Sequence, residues 1–166
     1  RLLARDVQHP GRGTGQPRID DNLRRALVRV RRVIDQLVLF AQDAGHGFGD
    51  ITISASVTIE GDECAIAISS PPQIPYFINS YEGNSISGVY LGLMMFTQVD
   101  PPYNEGLYRC IRVDLGPKGT LVNAQEPAPH VNCTTTPMET LADAVRLALE
   151  KAAPERAVGS WGHASG

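Results

Sequence analysis

The sequence predicts an α+β fold: a mainly antiparallel sheet with two or three packed helices, forming part of a larger polypeptide. Three observations lead there. Residues 51–68 hold two alternating apolar runs around a turn, the pattern of a half-buried hairpin. Apolar residues from Leu23 to Ala41 recur at three- and four-residue spacing. Residues 137–153 carry a helix start, an apolar stripe and a helix stop that agree with one another.

The elements follow in order. Residues 1–19 are rich in Gly, Pro and Arg and show no apolar period. They read as a linker or the end of a preceding domain, with 20–166 as the α+β segment. Asp20 or Asp21 suits a helix N-cap, because a short carboxylate accepts from the free N–H groups of the first turn. Leu23, Leu27, Val30, Ile34, Leu37, Val38 and Ala41 then share one face of a helix expected to run to about Ala44, ended by Gly45, Gly47 and Gly49. Ile51, Ile53, Ala55, Val57 and Ile59 alternate with polar residues as a strand. Glu60-Gly61-Asp62-Glu63 turns the chain, and 64–68 returns. Residues 83–98 are apolar over a length that favours a buried helix. Their Gly88 and Gly92 weaken helix propensity, but four apart they suit close approach of another backbone. Asp100-Pro101-Pro102 ends that element. Residues 107–115 read as a strand, Pro117-Lys118-Gly119 as a turn, and 120–123 as a short returning strand. Thr136 then caps a helix with Pro137 at its first position and Glu139 in its first turn. Leu141, Ala144, Val145, Ala148 and Leu149 form its stripe and Pro154 stops it.

Composition narrows the function classes. With 42% hydrophobic and 20% charged residues the chain is globular rather than disordered. A net charge of −3 gives no electrostatic case for nucleic acid, and the run Arg24, Arg25, Arg29, Arg31 and Arg32 reads as a solvated or interface helix face. No apolar stretch is long enough for a membrane-spanning helix. Cys64, Cys110 and Cys133 are too few and too widely spaced for a disulfide framework or a zinc site, a pattern that suits a reducing cytoplasm.

The residues able to carry chemistry cluster between 104 and 136. On the expected strand Arg109 shares a face with Ile111 and Val113, where a guanidinium needs a partner. Either Arg109 stands in a structural ion pair or at an edge position, or its two-pronged fork holds a bound carboxylate or phosphate. His130 lies in a Pro-rich loop, with Asn132 two residues on. On an extended backbone both would point to one side. Arg109, His130 and Asn132 are therefore the expected substrate-binding residues, converging with the helix N-terminus behind Thr134, Thr135 and Thr136. Cys133 lacks an evident base, and Gly11-Arg12-Gly13-Thr14-Gly15 neither follows a strand nor opens a helix as a phosphate loop would.

These motifs, in this order, resemble the hydantoinase B/oxoprolinase family over 73–162. The matching residues are Gln73 with Asn79, then Asn104-x-Gly106-x-Tyr108-Arg109, then Pro117-Lys118-Gly119-Thr120-Leu121 with Asn123. Pro127-Ala128-Pro129 with Val131 and the helix ending near Pro154-Glu155 complete the set. The resemblance implies a subunit that works with a hydantoinase A-like, ATP-using partner in a hetero-oligomer. It implies ATP-dependent opening of cyclic amides such as hydantoin or 5-oxoproline, or, in related assemblies, ATP-dependent ketone carboxylation. ATP and a divalent metal are implied for the whole complex, with none bound by this segment. Two departures stand out: Ile66-Ala67-Ile68-Ser69 replaces an Asp-Phe-Ser-Gly-like stretch, and Tyr76 replaces a usual Gly. The alternative from another class is a non-catalytic scaffold domain that docks the catalytic subunits.

Overall fold

A computed structural model describes residues 34–40, 47–48, 51–60, 63–98 and 105–159 of the chain. Four strands, β1 (Ile34–Phe40), β2 (Ile51–Glu60), β3 (Glu63–Ser69) and β4 (Ile111–Asp114), form one sheet in the order β1-β2-β3-β4. The first two pairings are antiparallel and β4 adds to β3 in parallel. The helices are α1 (Glu82–Thr97), α2 (Glu105–Tyr108) and α3 (Pro137–Ala152), followed by a 3₁₀ turn at Pro154–Arg156. The expected α+β architecture with a mainly antiparallel sheet is what the chain adopts.

The hairpin forms as its alternation requires. Ile53, Ala55 and Val57 on β2 and Cys64, Ile66 and Ile68 on β3 are buried on one face. Every second residue of β3, from Glu63 to Ser69, is exposed on the other. Helix α3 packs across β1 and β2 on the sheet side and against α1 on its flank. Its stripe of Leu141, Ala144, Val145, Ala148 and Leu149 is fully buried, and Pro137 stands at its first turn as expected. Glu60 pairs with Glu63 across the hairpin end, and the Gly61-Asp62 connection lies outside the described residues.

Gly88 and Gly92 explain why an apolar helix carries two weak helix formers. A Cβ on Gly88 would stand 2.7 Å from the Met138 carbonyl oxygen. One on Gly92 would overlap the Ala142 carbonyl oxygen and lie 2.9 Å from its carbonyl carbon. The two helix backbones meet on these glycines, so the close approach read from their spacing is realised.

Three expectations are corrected. The helix expected to run to Ala44 is overturned at its end, because Ile34–Phe40 is a strand pairing antiparallel with β2, Ile34 opposite Val57 and Phe40 opposite Ile51. A short apolar run satisfies either period, and β2 would otherwise present ten residues of unpaired backbone at a sheet edge. Its earlier part, with the Asp20 or Asp21 cap and the Arg24–Arg32 run, lies outside the described residues, as do the 1–19 linker, Asp100-Pro101-Pro102 and Asn104. The strand expected over 107–115 shrinks to Ile111–Asp114, and Gly106, Leu107 and Tyr108 form a helical turn instead. Strand β3 begins at Glu63 and pairs Cys64 with Ile111, so upstream residues have little sheet to pair with. Meanwhile the Tyr108 ring stacks on Tyr90 at 4.3 Å and its hydroxyl reaches Met94 Sδ at 3.5 Å. Lastly, 120–123 is not a strand. Thr120 bridges Pro72 and Asn123 around a tight turn, with Gly116 and Gly119 at φ +74° and +87°.

Candidate functional site

The loops leaving β3 and β4 meet beyond the C-terminal ends of these two strands. Gln73 N–H donates to the Gly119 carbonyl at 2.8 Å and Leu121 N–H to Pro71 at 2.8 Å. Ser80 N–H donates to Leu121 at 2.7 Å, and Ala124 N–H returns to Ser80 at 3.0 Å. The Gln73 side chain accepts from Gln125 N–H at 2.8 Å, and Asn123 donates to the Gly116 carbonyl at 2.8 Å. Segments 70–81 and 115–136 are thus stitched into one body.

Asn79 lies at its centre with no exposed surface. Its Oδ1 accepts from Ile74 N–H at 2.9 Å. Its Nδ2 lies 2.7 Å from the Ile74 carbonyl, 2.7 Å from that of Tyr76 and 2.8 Å from that of Pro129. Buried loop backbone is stable only with such partners. The motif residues Asn79 and Asn123 are therefore engaged inside the protein, and the half-buried Gln73 is engaged at its surface. A second polar layer, unsuspected from spacing, joins this body to α1: the Tyr81 hydroxyl donates to Ala128 at 3.1 Å, Asn84 donates to Ser80 Oγ and the Cys133 carbonyl at 2.9 Å each, and buried Ser85 donates to Ser80 Oγ at 2.8 Å. Its only sequence signal is the density of Asn, Ser and Tyr between Asn79 and Ser85.

The three expected site residues occupy different settings. His130 is exposed on the loop body, its ring edge-on to Tyr81 at 4.5 Å, with Nδ1 3.4 Å from the Ala128 carbonyl oxygen. Asn132 is half-buried. Its Nδ2 donates to Thr136 Oγ1 at 2.7 Å and its Oδ1 accepts from Thr135 Oγ1, so the amide shapes the entrance to α3. The backbone between His130 and Asn132 is turned rather than extended, with Cys133 N–H closing onto the His130 carbonyl at 3.1 Å. Thr136 stands at the N-cap but its side chain makes no capping bond. Arg109 sits in the turn before β4, exposed rather than among apolar neighbours, and no described residue forms an ion pair with it. Strand β4 leads from its end of the sheet to the loop body, placing Arg109 before the strand and His130 and Asn132 beyond it.

Two other groups bear on chemistry. Arg146 is 2% exposed and lies between two carboxylates of its own helix, Asp143 at 2.9 Å and Glu150 at 2.6 Å. Burial works against its charge, but hydrogen bonds and charge from Asp143 and Glu150 outweigh that and raise its pKa. Its Nη1 also holds the Val158 carbonyl at 2.6 Å, and Val158 N–H donates to Glu150 at 3.0 Å, which ties the chain after the 3₁₀ turn to α3. The Cys64 thiol is pushed up to about 12, by burial first and by Cys110 second, so it stays protonated and inert. Among the described residues no group of three His, Cys, Asp or Glu side chains is placed to hold a metal, so none is assigned here. Nor is any described helix long and apolar enough to cross a membrane.

Comparison with known proteins places this architecture. The profile of the hydantoinase B/oxoprolinase family matches residues 1–166, beyond the 73–162 span carried by the motifs. The β subunit of a caprolactamase from Pseudomonas jessenii is 78% identical over 125 residues, which is 75% of this chain and 22% of that protein. The crystal structure of the ATP-dependent caprolactamase from Pseudomonas jessenii superposes with a TM-score of 0.73 at 69% identity, over 89% of this chain and 26% of that one. The chain thus spans about a quarter of the length of these relatives. With the family profile matched from end to end, and with Gln73, Asn79 and Asn123 each holding a turn of the loop body, the chain belongs to the hydantoinase B/oxoprolinase family.

Proposed function

We propose that this chain is a segment of the β-type subunit of a cytoplasmic, hetero-oligomeric enzyme that hydrolyses a lactam at the expense of ATP. The 78% identity to a caprolactamase subunit carries this reading. It favours a seven-membered, caprolactam-type ring over the hydantoin and 5-oxoproline rings that the family resemblance implies. An unstrained amide resists water, and phosphorylation of its oxygen, at a site supplied by a hydantoinase A-like partner, would activate it. ATP and a divalent metal belong to that complex in this reading. The segment contributes a rigid loop body. Arg109, His130 and Asn132 are proposed as its substrate-facing residues, with the exposed guanidinium suited to a carboxylate or phosphorylated group.

The test uses the full-length subunit with its ATP-using partner. Caprolactam, hydantoin, 5-oxoproline and acetophenone with bicarbonate are compared for product formation and ADP release. Caprolactam-dependent ADP release with formation of the ring-opened amino acid is expected. Turnover of the ketone alone would replace the hydrolase reading with the carboxylase. In the same complex, Arg109→Lys and His130→Ala should each lower kcat/KM about tenfold or more with the fold retained. Unchanged kinetics in both would remove these residues from the site and leave the lactam reading standing.

A further inference from the structure

Although Lys118 and Glu126 are exposed on the loop body, part of its surface is apolar. Phe48 and Phe77 are each 38% exposed, and Val131 is 90% exposed. The Phe48 and Tyr76 rings lie 5.6 Å apart and those of Tyr76 and Phe77 4.1 Å apart, one continuous aromatic row. Val131 adjoins it, because the next residue, Asn132, donates its N–H to the Phe77 carbonyl at 3.1 Å. Neither 69–81 nor 127–138 contains a single Asp, Glu, Lys or Arg, in a chain that is 20% charged. Tyr76, Phe77 and Val131 thus lie on uncharged segments, and Phe48 joins them from a third.

Scattered exposed apolar residues need no explanation, but a contiguous row on a stretch without charge does. Depletion of charge with enrichment of aromatics marks the core of a protein interface. The row is also held in place. Asn79 fixes the carbonyls of Tyr76 and Pro129, the residues flanking Phe77 and His130, so the surface is shaped before anything covers it. A preordered apolar surface loses little entropy on docking.

We propose that the row Phe48, Tyr76, Phe77 and Val131 is the seat of an apolar element from the remainder of the same subunit polypeptide. This rests on the reading above that the chain is a segment of a longer β-type subunit. Length points to this occupant: the solved relative is a chain of which this segment matches 26%. Most of such a polypeptide lies outside the segment, and an intrachain contact forms at high effective concentration.

The experiment places a photocrosslinking p-benzoylphenylalanine at Val131 in the full-length subunit, assembled with its ATP-using partner. Crosslinked peptides are identified by mass spectrometry. A crosslink to the same polypeptide outside this segment is the expected result. A crosslink to the partner subunit, a crosslink confined to this segment, or no crosslink at all would each overturn the inference. In parallel, Val131→Asp should lower the melting temperature of the full-length subunit by about 2 °C or more, since within the segment alone Val131 is a surface residue where a charge costs little. An unchanged melting temperature would overturn it as well. Lactam turnover by the unmodified complex is measured separately, so failure of the functional reading is distinguishable from failure of this one.

Discussion

Asn79 is the residue on which the loop body most depends. It serves one buried N–H and three carbonyls from two segments fifty residues apart, which no other side chain of similar volume can do. Asn79→Ala is expected to destabilise the subunit by about 3 kcal/mol, because each buried group left without a partner costs on the order of 1–3 kcal/mol. Asn79→Asp should cost at least as much, since it sets a carboxylate oxygen against three carbonyl oxygens where an amide donor stood. Urea denaturation of the full-length subunit checks both. A midpoint unmoved in both variants would show that the network does not hold the loops. At this scale the sequence was partly legible. Gln73, Asn79, Gly119 and Asn123 stood out as motif residues, but their spacing did not say whether they face a ligand or the protein. That choice depends on which loop crosses which, and the structure turns Asn79 and Asn123 inward while Gln73 holds the Gln125 backbone at the surface. Arg146 was legible in principle, as Asp143, Arg146 and Glu150 have the three- and four-residue spacing of helical ion pairs. Its burial was not, because that depends on what packs over the helix.

At the scale of elements, the α1–α3 contact is the one most sharply specified. Both backbones approach on Gly88 and Gly92, and the space for any larger side chain is absent. Gly92→Ala should force the helices apart and cost about 3 kcal/mol, at the upper end of overpacking penalties. Gly83→Ala in the same helix meets nothing within 4 Å and should be neutral or stabilising, since alanine is the better helix former. Thermal melts of the two variants compare them directly, and equal effects would contradict the packing account. The hairpin and α3 follow from periods that only one structure satisfies: two long alternating runs, and sixteen residues with a three-to-four stripe. Shorter or mixed segments were decided elsewhere. Ile34–Phe40 joins the sheet because β2 has an edge to pair, and Glu105–Tyr108 coils because Tyr108 finds Tyr90. Neither partner is local.

At the largest scale, the described residues form a sheet with α3 packed across β1 and β2, α1 packed against α3, and a loop body beyond the ends of β3 and β4. Such a unit by itself is expected to show neither ATP hydrolysis nor lactam hydrolysis, because the relatives that carry these names match it over only 22% and 26% of their length. Purified segment releasing ADP or ring-opened product above a buffer control would contradict this. By itself the sequence determined the α+β class, the hairpin, the close approach of another backbone at Gly88 and Gly92, the start and stop of α3 and the family. Each of these rests on local chemistry: alternation of side chains along a strand, the fixed angle of proline, the missing side chain of glycine, and motifs read in order. Only the tertiary structure decided the edge strand β1, the coil before β4, the inward turn of Asn79 and Asn123, and the placing of Arg109 and the His130 loop at opposite ends of β4. Those outcomes depend on contacts between residues distant in the chain, where a backbone group or ring takes the partner that folding brings near it, and no local spacing encodes that partner.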